Sequence, residues 1–284
     1  MGSLETFQQL RPHLMSVAYR MLGCFSDAED VVQEAWLRWQ TVDETSVQNS
    51  KAWLCAATSR LCLDRLKVAR ARRASYPGPW LPEPVITEEP VDKESISVAF
   101  LVLLERLTPV ERAVYLLHHV FEYPHAEVAK ALDMTAAAAR QAYHRAKGHV
   151  AANRPRFAVS REDHERLLLS FAVAIARGDL SKLVELLSTD ATLWIDGGGR
   201  VRGAARRPVR GGQQVARVLL SVAEKAFVEP DQTFEVRLVN GWPALVGGSQ
   251  GQVNAVVTIE TDGSRILAVR NVLNPEKLKL RTLN

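Results

Sequence analysis

Pro77, Pro79, Pro82, Pro84 and Pro90 all fall between residues 75 and 93. Each lacks a backbone N–H and fixes its own φ, so neither a helix nor an interior strand can run through this stretch. The segment therefore reads as a linker, and it cuts the chain into parts that must fold around separate cores. Four acids accompany the prolines, and the phrase Trp80-Leu81-Pro82-Glu83-Pro84 sits among them. An exposed indole leaves much apolar surface in water, so Trp80 is expected to dock.

Before the linker, apolar residues recur at helical spacing: Leu14, Val17, Ala18, Met21 and Leu22, then Val31, Val32, Ala35, Trp36 and Trp39. Ser26, followed by Asp27 and Glu29, reads as a helix N-cap. A third helix is expected over residues 50–70. After the linker helices resume near Ile96. Thr108-Pro109-Val110-Glu111 has the pattern of a capping box with Pro in the first helical position. Beyond Pro155 the pattern changes. Residues 162–177, 180–187 and 212–226 keep a helical period, whereas 191–195, 233–239, 255–260 and 265–272 alternate with period two. The expected organisation is two all-α modules at 1–75 and 96–156, a linker at 76–95, and an α+β domain with a curved antiparallel sheet at 160–284.

The chain has 284 residues, 47% of them hydrophobic and 24% charged, which is globular composition. The longest apolar run, Val98–Leu104, is far too short to cross a bilayer. No signal-peptide pattern opens the sequence. Three cysteines without a CxxC pair exclude a disulfide framework and a zinc site, and fit a cytoplasmic protein. No cofactor or metal motif is visible. The net charge of +4 matters less than its distribution. Residues 65–73 and 136–156 each hold five basic residues and no acid, as suits two separate contacts with a polyanion.

Residues 125–150 form the strongest local signal: a short helix, the turn Asp133-Met134-Thr135, and a longer basic helix. This is the order of a helix-turn-helix, with small Ala129 at the crossing and Thr135 capping the second helix. Glu127, Thr135, Ala138, Arg140, Gln141, Tyr143, His144, Arg145 and Lys147 would then face bases or phosphates in the major groove. The competing reading is an αα-hairpin with a basic surface.

Residues 25–38, FSDAEDVVQEAWLR, strongly resemble the core-polymerase-binding helix of bacterial sigma factors. They are most similar to the extracytoplasmic-function group (group IV) of the sigma-70 family. The likeness extends over residues 5–75 and 97–155 and includes the helix-turn-helix. It implies a factor that binds core RNA polymerase through its β′ clamp and β flap and directs initiation at particular promoters, without being an enzyme itself. On that likeness Asp27, Asp30, Val31, Gln33 and Glu34 meet the polymerase. Lys51, Trp53, Arg60, Arg65, Arg70 and Arg73 follow the minus-10 strand, and the helix-turn-helix reads the minus-35 duplex. Trp53 is equally open to a core role, since single tryptophans at helical spacing are often buried.

The carboxy-terminal pattern resembles the SnoaL-like fold, and the whole chain resembles a branch of the same sigma factors carrying such a domain. Trp80-Leu81-Pro82, Asp196-Gly197-Gly198-Gly199-Arg200 and Asn274-Pro275-Glu276-Lys277-Leu278 carry that likeness. They imply a regulatory contact inside one monomeric chain, in place of a separate anti-sigma protein. Arg200 and Glu276 stand where the family usually has Lys and Asp. No tyrosine follows Tyr143, so the usual phenol donor of ketosteroid isomerases is missing. A small-molecule ligand in the cone remains open. So do two other classes: a ligand-sensing helix-turn-helix repressor, and a SnoaL-like enzyme with a DNA-binding arm.

Overall fold

The structure, a computed structural model, describes residues 3–87, 96–153, 159–226 and 231–283. The chain divides into two compact units. One contains Met1–Ala74 and Phe100–Arg154; the other contains Ser75–Ala99 and Pro155–Thr282.

The first unit is helical. α1 (Ser3–Leu22), α2 (Phe25–Gln40) and α3 (Ser50–Ala74) pack by burying Leu14, Val17, Met21, Val31, Ala35, Trp39, Leu54 and Leu61. These positions recur at i+3, i+4 and i+7, so one stripe of each helix leaves water. α2 begins two residues earlier than its sequence suggests. Cys24 is the N-cap and makes no side-chain cap bond, because Phe25 is drawn into the core beside Tyr19, at 6.3 Å between rings. Ser26 lies within the first turn.

α4 (Val98–Leu104) leads to α5 (Pro109–Tyr115), which opens with the expected capping box. Glu111 N–H donates to Thr108 Oγ1, and Thr108 N–H donates to Glu111 Oε2. A π-helical turn over Leu116–Val120 follows, then α6 (His125–Ala131) and α7 (Ala136–Asn153). Asp133 takes φ 54° in the turn between them, and Ala129 is buried where the helices cross.

The second unit is a sheet with one helical layer. It comprises α8 (Arg161–Ala176), α9 (Leu180–Leu186), β2 (Leu187–Asp196), β3 (Val209–Arg210), α10 (Gly212–Ala226), β4 (Thr233–Val239), β5 (Trp242–Ser249), β6 (Gln252–Thr261), β7 (Ile266–Val272) and β8 (Arg281–Thr282). Strand β1 (Val85–Ile86) comes from the proline-rich stretch. The order is β3-β2-β7-β6-β5-β4-β1-β8. Most neighbours are antiparallel, but β2–β7 and β1–β8 are parallel, so the sheet is mixed rather than wholly antiparallel. α8, α9 and α10 cover one face around Phe171, Leu183, Leu193, Val215 and Val269. β5 escapes a period-two reading because Pro243, Ala244, Leu245, Val246 and Gly247 are all buried, leaving no polar alternation to see.

Residues 75–87 are therefore not a free linker. β1 pairs with β4 through Ile86 and Val239, and Thr87 N–H donates to Leu238 O at 3.1 Å. β1 lies between β4 and β8, so a two-residue interior strand does form in this stretch; it is compatible with the prolines because their missing N–H groups lie outside so short a ladder. Residues 88–95 and 154–158, where two of the expected boundaries fall, lie outside the described residues.

Candidate nucleic-acid interface and the strap at Asp196

On α2, Asp30 and Gln33 are exposed, while Asp27 and Glu34 are half-buried. They form an acidic edge suited to a basic surface. Val31, expected beside them in the partner contact, is fully buried and belongs to the core instead. Glu34 pairs with Arg38 at 2.8 Å, one helical turn on. Arg65, expected on DNA, turns its guanidinium toward α2, 4.0 Å from Asp27 and 3.8 Å from Asp30.

The other residues expected on the minus-10 strand fare differently. Lys51 is exposed. Trp53 is half-buried, its ring 5.2 Å from the fully buried Trp39, so one side belongs to the core. The Arg70 side chain lies outside the described residues. Arg60 donates to two carbonyl oxygens at the end of α6, Nε to Ala131 at 2.8 Å and Nη2 to Lys130 at 3.0 Å. A cation there complements the helix dipole and caps groups that have no helical partner. Arg73 pairs with Glu105 and donates to Leu22 O at 2.7 Å. Arg112, only 3% exposed, ties the same region together through Leu104 O, Met21 O and Glu105. Sequence reading missed Arg112 and Glu105, since neither stands out from an ordinary charged helix face.

In the helix-turn-helix, Thr135 Oγ1 accepts from Ala138 N–H at 3.1 Å and caps α7. Arg140, Gln141, His144 and Lys147 are exposed; 140, 144 and 147 share a face. Glu127 is exposed on α6 and Ala138 is half-buried. Two expected DNA contacts are engaged within the helical unit, Tyr143 by packing and Arg145, though exposed, by an ion pair. Tyr143 stacks on Tyr115 at 6.1 Å and meets His118 edge-on at 4.6 Å. Arg145 Nε donates to Glu111 Oε1 at 2.9 Å, fastening α7 to the N-terminus of α5. Burial pushes the Glu111 carboxyl up, but Arg145 and Thr108 outweigh it and hold the group below the usual carboxylate range.

The second unit gathers the three phrases singled out near the linker, all within that one unit. Asp196, at the end of β2, is completely buried. Its Oδ1 accepts from Tyr76 O–H at 2.6 Å and Gly198 N–H at 3.1 Å; its Oδ2 accepts from Leu81 N–H at 2.9 Å. Lys277 Nζ pairs with Oδ2 at 2.7 Å and also donates to Leu81 O at 2.6 Å. That ammonium lies 4.3 Å from the Trp80 ring centroid and 5.1 Å from Tyr76. Here the expected docking of Trp80 finds its partner, a cation over an aromatic face. Asn274 Nδ2 donates to Tyr76 O–H at 2.9 Å. Burial and then the Asp196 bond push the Tyr76 phenol well above its ordinary range.

The glycines answer to space as well as conformation. Gly198 and Gly199 have φ of 60° and 72°, and a Cβ at either would lie 2.5 Å from Asn274 or 2.6 Å from Pro77. A Cβ at Gly197 would lie 2.6 Å from Ala204. Pro82 and Leu278 are buried. Arg200 and Glu276 form an exposed pair at 2.5 Å, above Pro275 in its 3-10 turn. Further along the strap, Asn240 (φ 52°) accepts from Val85 N–H at 3.2 Å and donates to Ile96 O at 2.9 Å. The dipeptide Asn240-Gly241 was the available signal for this hairpin turn.

Comparison with known proteins agrees in both halves. Residues 6–72 match the family model for Sigma-70 region 2, and residues 97–150 that for Sigma-70, region 4. The ECF RNA polymerase sigma factor SigJ of Mycobacterium tuberculosis is 38% identical over 96% of this chain and 92% of its own length. A second Mycobacterium tuberculosis protein, named "Probable ECF RNA polymerase sigma factor SigI", is 29% identical over 94% of this chain and 92% of its own. The crystal structure of SigJ superposes with a TM-score of 0.76 at 34% identity, covering 96% of this chain and 97% of that one. Among the described residues no helix is long and apolar enough to cross a membrane. With both sigma regions in order and a relative this similar over nearly its whole length, the chain belongs to the extracytoplasmic-function sigma factors, which bind core RNA polymerase and promoter DNA to direct transcription initiation.

Proposed function

We propose that the carboxy-terminal unit regulates the sigma modules by holding the segment that connects them. The observation that carries this reading is the strap at Asp196. The connection leaves α3 at Ser75 and re-enters the helical unit at Phe100. Between those points Tyr76, Leu81, Val85 and Ile96 are each bonded to the carboxy-terminal unit. Whatever spacing the two modules take on a promoter must be compatible with that grip, or must break it.

Two further observations support a closed resting state of the helical unit. Arg60 and Arg73, expected on the minus-10 strand, are engaged with α6 and Glu105. On this reading promoter capture requires those contacts to open, and a tethered unit can bias that equilibrium with a weak grip. Asp27, Asp30, Gln33 and Glu34 meet the polymerase clamp. Arg140, Gln141, His144 and Lys147 meet the minus-35 duplex, with Arg145 and Tyr143 setting the pitch of α7 from beneath. The unit acts without catalysis: the Asp196 carboxylate is spent on structural bonds and has no role left as a base. The protein works in the cytoplasm, beside its polymerase.

The test is run-off transcription with core polymerase, comparing the full chain with Lys277→Ala and Tyr76→Phe, which loosen the strap. Promoter-specific yield should change several-fold while affinity for core polymerase stays the same. Unchanged yield from both variants would show that the strap does not regulate.

A further inference from the structure

Between Asp196 and Glu224 the chain carries six arginines, no lysine and no acid. Arg200 is paired with Glu276. Arg202, Arg206, Arg207, Arg210 and Arg217 are exposed, and among the described residues none of the five has a hydrogen-bond or ion-pair partner. Folded surfaces normally intersperse the two signs of charge, so this stretch leaves an uncompensated positive field on the second unit.

The backbone beneath these side chains is held in place. Ala204, Ala205 and Val209 pack against the core of the unit, while the arginines beside them face solvent. Gly197 O accepts from Arg200 N–H at 2.9 Å and from Val201 N–H at 3.3 Å, closing the turn that opens the loop. Gly78, at φ 108°, backs the same loop: a Cβ there would lie 3.6 Å from Arg206 Cα and 3.9 Å from Ala205 O. Arg210 stands on β3, the strand at the edge of the sheet, and α10, which carries Arg217, packs on β3. Loop, strand and helix thus present five cations along one edge, with little backbone ordering left to be done on binding.

The composition names the partner. Arginine's planar fork matches the oxygens of a phosphate, and lysine is absent from the patch. No aromatic residue stands between Asp196 and Glu224, so the surface offers no stacking platform for unpaired bases. Such a surface grips the phosphates of a duplex without reading its sequence. Gly78 follows Ala74, the last residue of α3, by only four residues. Four residues span at most about 14 Å of extended chain, so promoter DNA held by the sigma modules is the polyanion within reach. We propose that Arg202, Arg206, Arg207, Arg210 and Arg217 form a third DNA contact of this chain, a sequence-independent grip on the phosphates of the promoter duplex. The contact stands apart from the bonds at Asp196 and does not depend on the regulatory reading.

The test is fluorescence anisotropy of the full chain on a labelled DNA duplex of arbitrary sequence, about 30 base pairs long, titrated with KCl from about 50 to 400 mM. Each phosphate neutralised adds about 0.9 to the fall of log K with log salt. The triple variant Arg206→Gln, Arg207→Gln, Arg210→Gln should therefore lower the slope by about 2–3 and weaken binding about tenfold or more at the lowest salt, the difference fading as salt rises. The triple variant Arg206→Lys, Arg207→Lys, Arg210→Lys should keep the parent slope, because it keeps the charges, while losing some affinity with the forked geometry. None of the three side chains has a partner to lose, so both variants should melt with the parent chain. An unchanged slope in the glutamine variant would overturn the proposal and leave the patch to an acidic protein. A lysine variant with the reduced slope of the glutamine one would overturn it as well, since charge would then not be what the DNA senses.

Discussion

Replacing Lys277 by Met asks how much the buried pair at the strap contributes. Methionine keeps the stem and removes the charge. Asp196, with no exposed surface, is then left in the interior without its cation. Breaking one side of a buried pair typically costs about 3–5 kcal/mol. Three donors remain on the carboxylate, from Tyr76, Leu81 and Gly198, so the lower end, about 3 kcal/mol, applies here. For a cooperative unit of roughly 150 residues that is a fall in Tm of about 6–12 °C. The exposed pair of Arg200 and Glu276, with side chains 62% and 64% accessible, is the internal control. Glu276→Gln should cost less than about 1 kcal/mol, since solvent screens such pairs. Scanning calorimetry of the full chain reads both variants, and Asp196→Asn with Lys277→Met together should recover part of the loss. If Lys277→Met moves the transition no further than Glu276→Gln, the buried pair is not what anchors the strap.

Three other outcomes follow from the same reasoning. Glu111→Ala removes the side-chain half of the capping box, the carboxylate that accepts from Thr108 N–H, and frees Arg145 of α7 from α5, so the helical unit should lose about 2 kcal/mol in urea unfolding. Asn240→Ala should cost about 3 kcal/mol and Asn240→Gly about 1 kcal/mol less, because both lose the bonds to Val85 and Ile96 but only alanine resists φ 52°. His164 is buried with Nε2 3.1 Å from Pro243 O, and burial, helped by Arg161, holds its pKa below 6.5 against the opposing Pro243 bond. The unfolded chain therefore takes up the proton first as pH falls. Stability of the second unit is complete above about pH 7 and declines as pH drops below about 6.5, and His164→Phe should flatten that slope in Tm measured against pH.

The sequence alone determined the helical spacing of α1 to α3, the capping box, the turn before α7 and the class change after Pro155, because each is a local pattern with a local physical cause. The family was legible for the same reason, being carried by contiguous residues such as 25–38. Side-chain direction was not legible. Val31, Arg65, Tyr143 and Arg145 sit among surface residues in the sequence, and only packing turned them toward Trp39's core, the α2 acids, Tyr115 and Glu111. The strap is the clearest case. Proline density excluded regular structure in residues 75–93 but could not say where their polar groups would go. Asp196, Lys277 and Tyr76 lie up to 201 residues apart in the chain. Only closure of the sheet placed a buried carboxylate where Leu81 N–H, Tyr76 O–H and the Lys277 ammonium all needed an acceptor. Tertiary structure thus turned a stretch that reads as a linker into the piece that fastens it, because a buried charge is tolerated only where the fold brings its partners to it.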